Sequence, residues 1–157
     1  MKRVFVLFSI LLIISQLYLS CDSTMVYNEF QHIENNTWKW EEPAEFNFSI
    51  DDTASFHNIL VQVRHTTAYP LSNLFMFVHV EGPTGQTMTD TIQFMLAETS
   101  GKWIGNGVGN MRALGYLYKK NTLFPEPGDY HITIEQAMRL PQVPVSEVGL
   151  KVEKINP

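Results

Sequence analysis

Apolar and polar residues alternate one for one along run after run of this chain, and a period of two is the signature of a strand with one face buried. Phe46, Phe48 and Ile50 would share one strand face, with Asn47 and Ser49 on the other. Ile59, Val61 and Val63 repeat the pattern against Asn58, Gln62 and Arg64. Ile92, Phe94 and Leu96 do so around Gln93, and Tyr130, Ile132 and Ile134 alternate with His131, Thr133 and Glu135. Val148, Leu150 and Val152 close the set against Lys151 and Glu153. Turn residues separate the runs: Gly82-Pro83-Thr84-Gly85 between 74–81 and 87–96, and Pro125-Glu126-Pro127-Gly128 before Tyr130. A strand of this kind shelters one face only, so two sheets must stack. The expected fold is therefore all-β, a single antiparallel β-sandwich of seven or eight strands, Ig-like or jelly-roll-like. No segment shows a long helical period; residues 110–118 could hold a turn or two of helix at most.

The N-terminus reads differently. Lys2-Arg3 opens an apolar run from Val4 to Leu19, and Ser20 precedes Cys21, the chain's one cysteine. This is the layout of a bacterial lipoprotein signal peptide over residues 1–20, with Cys21 as the first mature residue and the thiol that carries the lipid. Two plainer readings compete: Cys21 as an ordinary residue behind a secretory peptide, or the run as an uncleaved anchor. At roughly 16 residues the run is short of the ~20 that span a bilayer. A lone cysteine forms no disulfide framework, so the body must stand on its core. Residues 21–36 read as the lipidated N-terminus and a tether, with Val26, Tyr27, Phe30 and Ile33 suggesting that part of it packs. Residues 37–157 read as the sandwich.

Charge limits the partners. Removal of Lys2 and Arg3 with the signal takes the formal charge from −5 to −7. An acidic chain without clustered Lys or Arg is a poor nucleic-acid binder and is not drawn to anionic head groups. Membrane attachment would come from the lipid.

Catalytic signals are thin. His32, His57, His65, His79 and His131 are scattered, with no i, i+4 pair, and are expected on outward strand faces rather than at a metal. Serines lack the Gly-x-Ser-x-Gly elbow. Asp51-Asp52 and Glu41-Glu42 read as solvated turn charge. Asp90, Glu98 and Glu135 could form a glycosidase pair only if the fold set two of them across a cleft. Gly105 to Gly109 lacks the Lys-Ser/Thr ending of a P-loop and reads as a bulge or wide loop. No catalytic residue, metal or cofactor is expected.

Aromatic residues offer two binding hypotheses. Trp38 and Trp40 alternate, so in a strand they would share a face and could stack on a sugar, with Trp103 joining them; the plainer account caps the core with them. Leu74-Phe75-Met76-Phe77-Val78 is apolar on both faces. It is either a central strand covered on its second side or a strand presenting Phe75 and Phe77 to a partner.

Several stretches, in order along nearly all of the mature chain, resemble the gliding motility lipoprotein GldH family of Bacteroidetes. They are Cys21-Asp22-Ser23 with Val26-Tyr27-Asn28-Glu29-Phe30; Arg64, Thr66 and Tyr69; Ser72-Asn73-Leu74-Phe75; and Asp90-Thr91 with Leu96-Ala97-Glu98. Gly101, Gly105 and Gly107 follow, then Phe124-Pro125 through Gly128, and Tyr130 to Gln136-Ala137-Met138-Arg139; Val148-Gly149-Leu150 with Glu153-Lys154 resembles the ending. The resemblance implies a lipid-anchored envelope protein tied to gliding machinery and the linked type IX secretion pathway, at the outer membrane facing the periplasm. It carries over no catalytic residue. The expectation is a non-enzymatic component that docks onto other envelope proteins, with Phe75, Phe77, Arg64 and Arg139 as the first contacts to test. The alternative is a carbohydrate- or peptidoglycan-binding module using Trp38 and Trp40.

Overall fold

The computed structural model describes residues 24–155. Ten strands follow one another: β1 Met25–His32, β2 Trp38–Lys39, β3 Ala44–Ile50, β4 His57–Thr66, β5 Asn73–Glu81, β6 Thr87–Met95, β7 Met111–Thr122, β8 Gly128–Gln136, β9 Gln142–Val143 and β10 Val145–Lys154. A first sheet runs β1-β10-β4-β7 and a second runs β3-β8-β5-β6, with β2-β9 as a two-stranded ribbon. Every pairing is antiparallel. The alternation places the expected stripes between the sheets: Phe46, Phe48 and Ile50 against Ile59, Val61, Val63, Val148, Leu150 and Val152, all buried. Each such side chain contributes on the order of 1.5–3 kcal/mol relative to exposure, which is how a body without a disulfide holds together.

Two edges are tied by specific contacts. On one, Tyr27 of β1 packs on Phe46 and Phe48 of β3, with ring centroids 6.5 and 5.4 Å apart. On the other, the Asp90 carboxylate of β6 accepts from Tyr118 Oη at 2.6 Å and Lys119 Nζ at 2.7 Å, both on β7.

Three expectations change. The sheet begins at Met25, not at residue 37: β1 pairs along its length with β10, so most of the segment assigned to a tether is an edge strand. Residues 110–118 form no helix; β7 occupies them and pairs with β4. The run Leu114-Gly115-Tyr116-Leu117-Tyr118 is apolar on both faces, which erased the alternation that marks a strand. Two histidines expected on outward faces, His57 and His65, are buried, at 1% and 0% exposure.

Register defines the two poles of the sandwich. Met25, Lys154, His57 and Thr122 lie at one level of the first sheet. The Gly82–Gly85 turn closes the β5–β6 hairpin of the second, where Gly85 N–H donates to Gly82 O at 2.9 Å. Thr24, the first described residue, stands at this pole, where Lys154 N–H donates to its carbonyl at 2.7 Å. The opposite pole carries the β2-β9 ribbon, the 67–72 connection and the long 96–110 connection.

Candidate partner-binding surface

Arg64 ends the outward series Gln62, Arg64 on β4 near the second pole. Its Nη1 donates to Glu147 Oε2 at 2.6 Å, and its guanidinium carbon stands 4.9 Å from the centre of the Phe30 ring. Adjacent strands impose this grouping, since Glu147 of β10 is the register partner of both Arg64 and His32. The planar guanidinium is thereby held by an ion pair on one side and a ring on the other, a preorganised polar contact at low entropic cost. The pair is half-exposed, so its own stabilising effect is small. Beside it lies a depression of about 510 Å³ whose lining includes His32, Asn36, Arg64, Val108 and Glu147.

The far wall of that depression is the glycine-rich segment. Asn106 and Ala113 exchange two backbone hydrogen bonds, at 2.9 and 2.7 Å, on the free edge of β7. Gly105 adopts φ +89°, and a Cβ at Gly105 or Gly107 would collide with the carbonyls of Ala113 and Met111 respectively. Glycine is what lets the loop close down on the strand edge. Arg112 Nη1 donates to Gly109 O at 2.9 Å and to Met111 O at 2.7 Å. The loop so braced raises Val108 to its tip at 90% exposure. The expected wide loop is present; Val108 as its exposed point was not foreseen, although an apolar residue between glycines is the signal that could have found it.

At the same pole Trp38 and Trp40 part company, correcting the expectation of a shared face. β2 lasts two residues, and Trp38 opposite Val143 is fully buried, its Nε1 donating to Glu42 O at 2.8 Å. It has no face to offer a sugar. Trp40 lies past the strand, 45% exposed, and its Nε1 donates to Met138 O at 3.0 Å. Trp103 is partly buried and belongs to neither, since it packs on His65 with ring centroids 5.0 Å apart. Burial pushes the His65 pKa down.

The four residues singled out for a partner do not form one patch. Phe75 and Phe77 lie on the outer face of the second sheet, Arg64 on the outer face of the first. Phe75 is half-buried against the core, and Met138 Sδ accepts from its N–H at 3.1 Å; Phe77 is exposed at 39%. β5 is a central strand whose Leu74, Met76 and Val78 are fully buried, while Phe77 is left exposed on its second side. Arg139 is exposed on the β8–β9 connection, next to the half-exposed Leu140 and near Trp40. Cys21 lies outside the described residues.

The carboxylates are spread as well. Asp90 points between the sheets, opposite buried Val78. Glu135 faces outward, 3.7 Å from His79 Nε2, and Glu98 sits in the 96–104 turn. A sheet stands between Asp90 and Glu135. Among the described residues no group of three or more His, Cys, Asp or Glu is placed to hold a metal ion.

The family model described as GldH lipoprotein matches residues 25–152 of this chain. A gliding motility lipoprotein GldH homolog from Christiangramia forsetii is 30% identical over 148 residues, covering 88% of this chain and 89% of the relative. The gliding motility lipoprotein GldH of Flavobacterium johnsoniae is 30% identical over 153 residues, covering 92% and 94%. Among solved structures, a carbohydrate-binding module specific for non-crystalline cellulose covers 82% of this chain and 73% of its own, at 10% identity and a TM-score of 0.45. The Yersinia pseudotuberculosis-derived mitogen covers 83% and 88%, at 7% identity and a TM-score of 0.36. Likenesses this distant bear on neither ligand nor activity.

Proposed function

The chain belongs to the GldH lipoprotein family, and from that premise we propose a lipid-anchored, non-catalytic interaction component of the gliding and type IX secretion apparatus. Lipid on Cys21 holds it to the outer membrane, facing the periplasm, and confinement there raises its effective concentration near partners. The docking end is the pole away from Thr24. What supports this is the placement of exposed apolar side chains on the loops at that pole: Val108, Trp40, Leu71 and Leu140. Arg64 and Arg139 lie among or beside them, and aromatic and arginine anchors dominate binding energy at protein interfaces.

Two measurements test the reading. Photo-crosslinkers placed at Val108 and Trp40 in native membranes should capture a common set of envelope proteins, and one at Asp51 should not. Crosslinking at Asp51 alone would move the docking end and defeat the reading. Membrane fractionation after globomycin treatment, or of Cys21→Ala, should show loss of processing and of membrane retention; unchanged retention and processing rule out the anchor.

A further inference from the structure

The pole from which the chain runs back to Cys21 carries its own apolar surface. Phe56 is 50% exposed and Leu123 48% exposed, each one residue beyond the His57–Thr122 pair that ends the β4–β7 ladder. Met25 and Val26, on edge strand β1 across β10 from β4, are more than a third exposed. Phe56 is fixed in place, because Ile155 N–H donates to its carbonyl at 2.8 Å, and Ile155 directly follows the Lys154 that holds Thr24. An apolar cleft of about 240 Å³ opens beside Leu123, lined by Val80, Met88, Phe124 and Tyr130 among others.

Chain length ties this surface to the bilayer. Cys21 precedes Thr24 by three residues, and three extended residues reach at most about 11 Å. The polar interface of one leaflet is itself roughly 5–7 Å thick. A lipid on Cys21 therefore lets this pole stand at most about 4–6 Å clear of the head groups, close enough for exposed side chains there to reach them. The opposite pole is out of reach end-on, since strands of nine to twelve residues at ~3.3 Å each lie between.

We infer that this pole rests on the membrane, with Phe56 and Leu123 entering the head-group and acyl boundary. The inference depends on the lipid anchor proposed above. The contact is apolar rather than electrostatic. Asp51, Asp52 and Glu126 share this pole with Lys154 and the exposed Lys120, so acidic groups outnumber basic ones, and Lys154 is already paired to Asp52 at 2.5 Å. Anionic lipid should thus add nothing to it. The occupant is the bilayer surface itself, and the two poles divide the labour: one meets lipid, the other meets protein.

Cys21 is the only cysteine, and lipid on its sulfur would leave an introduced thiol as the sole labelling site. Phe56→Cys, Leu123→Cys, Leu71→Cys and Phe77→Cys, each in the full lipidated chain, are labelled with an environment-sensitive fluorophore. All four positions are exposed, so each variant should fold. The proteins are reconstituted into phosphatidylcholine–phosphatidylethanolamine vesicles carrying nitroxide lipid. Blue-shifted emission and quenching at least about twofold stronger at 56 and 123 than at 71 and 77 is the expected result. Equal quenching at all four, or stronger quenching at 71 or 77, in chains that float with the vesicles overturns the inference while the anchor stands. A requirement for phosphatidylglycerol overturns the apolar contact. Failure to float at all refutes the anchor, and the inference goes with it.

Discussion

The Phe30 ring lies directly across Gly149: a Cβ at position 149 would stand 2.6 Å from both Cδ1 and Cε1 of the ring. Gly149 is therefore what allows Phe30 to lie down on β10 and serve as the floor under Arg64. Gly149→Ala should tilt the ring away and lower stability by about 1–2 kcal/mol, the lower part of the overpacking range because Phe30 is partly exposed and can yield. Gly115→Ala is the control. It lies on the same outer face, with Gln62 Cγ at an ordinary 3.8 Å, and should be within about 0.5–1 kcal/mol of wild type. Urea denaturation measures both, and equal losses would mean that Phe30 does not press on Gly149.

Trp38 and Trp40 should respond differently to the same truncation. Trp38→Ala empties a fully buried site and orphans Glu42 O, at a cost of about 3–5 kcal/mol. Trp40→Ala, at an exposed site with one hydrogen bond to Met138 O, should cost no more than about 1.5 kcal/mol while weakening crosslinking at the docking pole. Denaturation midpoints with unchanged m-values are the readout.

Stability should fall as pH is lowered through the ordinary histidine range. Burial lowers the pKa of His57 and of His65 from 6.5. Below pH ~6.5 the unfolded chain takes up protons that the folded chain refuses, so stability rises with pH across this window and is lost on acidification. Other facing charges are few: Asp52 and Lys154 act on His57, in opposite directions, and Arg112 on His65. Melting temperatures between pH 7.5 and 5.5 should drop for wild type and hold nearly level for the His57→Phe, His65→Phe double variant. The aromatic substitute preserves the ring contacts to Phe124 and Trp103. A slope that survives the double substitution belongs to other groups.

Asp90 ties the open β6–β7 edge. Its hydrogen bonds from Lys119 and then Tyr118 hold the carboxyl below its ordinary range. That contribution is present above the unfolded carboxyl pKa of ~4 and is lost as pH falls further. Asp90→Asn should cost about 0.5–1 kcal/mol at pH 7, a modest figure because the side chain is about one-third exposed. The gap between wild type and variant should narrow as pH falls below ~4, and a gap that does not change with pH would point to packing, not charge.

Where one strand face is apolar and the other polar, alternation alone assigned the core, as at Phe46, Phe48 and Ile50 or at Ile132 and Ile134. It went silent where both faces are apolar, which is why β7 was not recognised. It misled where a strand stops after two residues, so that Trp40 left the face of Trp38. His57 and His65 are inside because they fall in phase with Ile59, Val61 and Val63 on the inner face of β4, where aromatic rings pack on them; the alternation carried that signal, and the polarity of histidine masked it.

Local residue order determined the alternating strands, the stripes that meet between the sheets, the apolar run ahead of Cys21 and the family likeness, since each depends only on neighbours along the chain. Which pole Thr24 stands at, that Arg64 meets Phe30 and Glu147, and that Arg64 and Phe77 lie on opposite outer faces were decided by tertiary structure. These depend on pairings between segments as remote as β1 and β10, and no local pattern encodes the register in which distant strands meet.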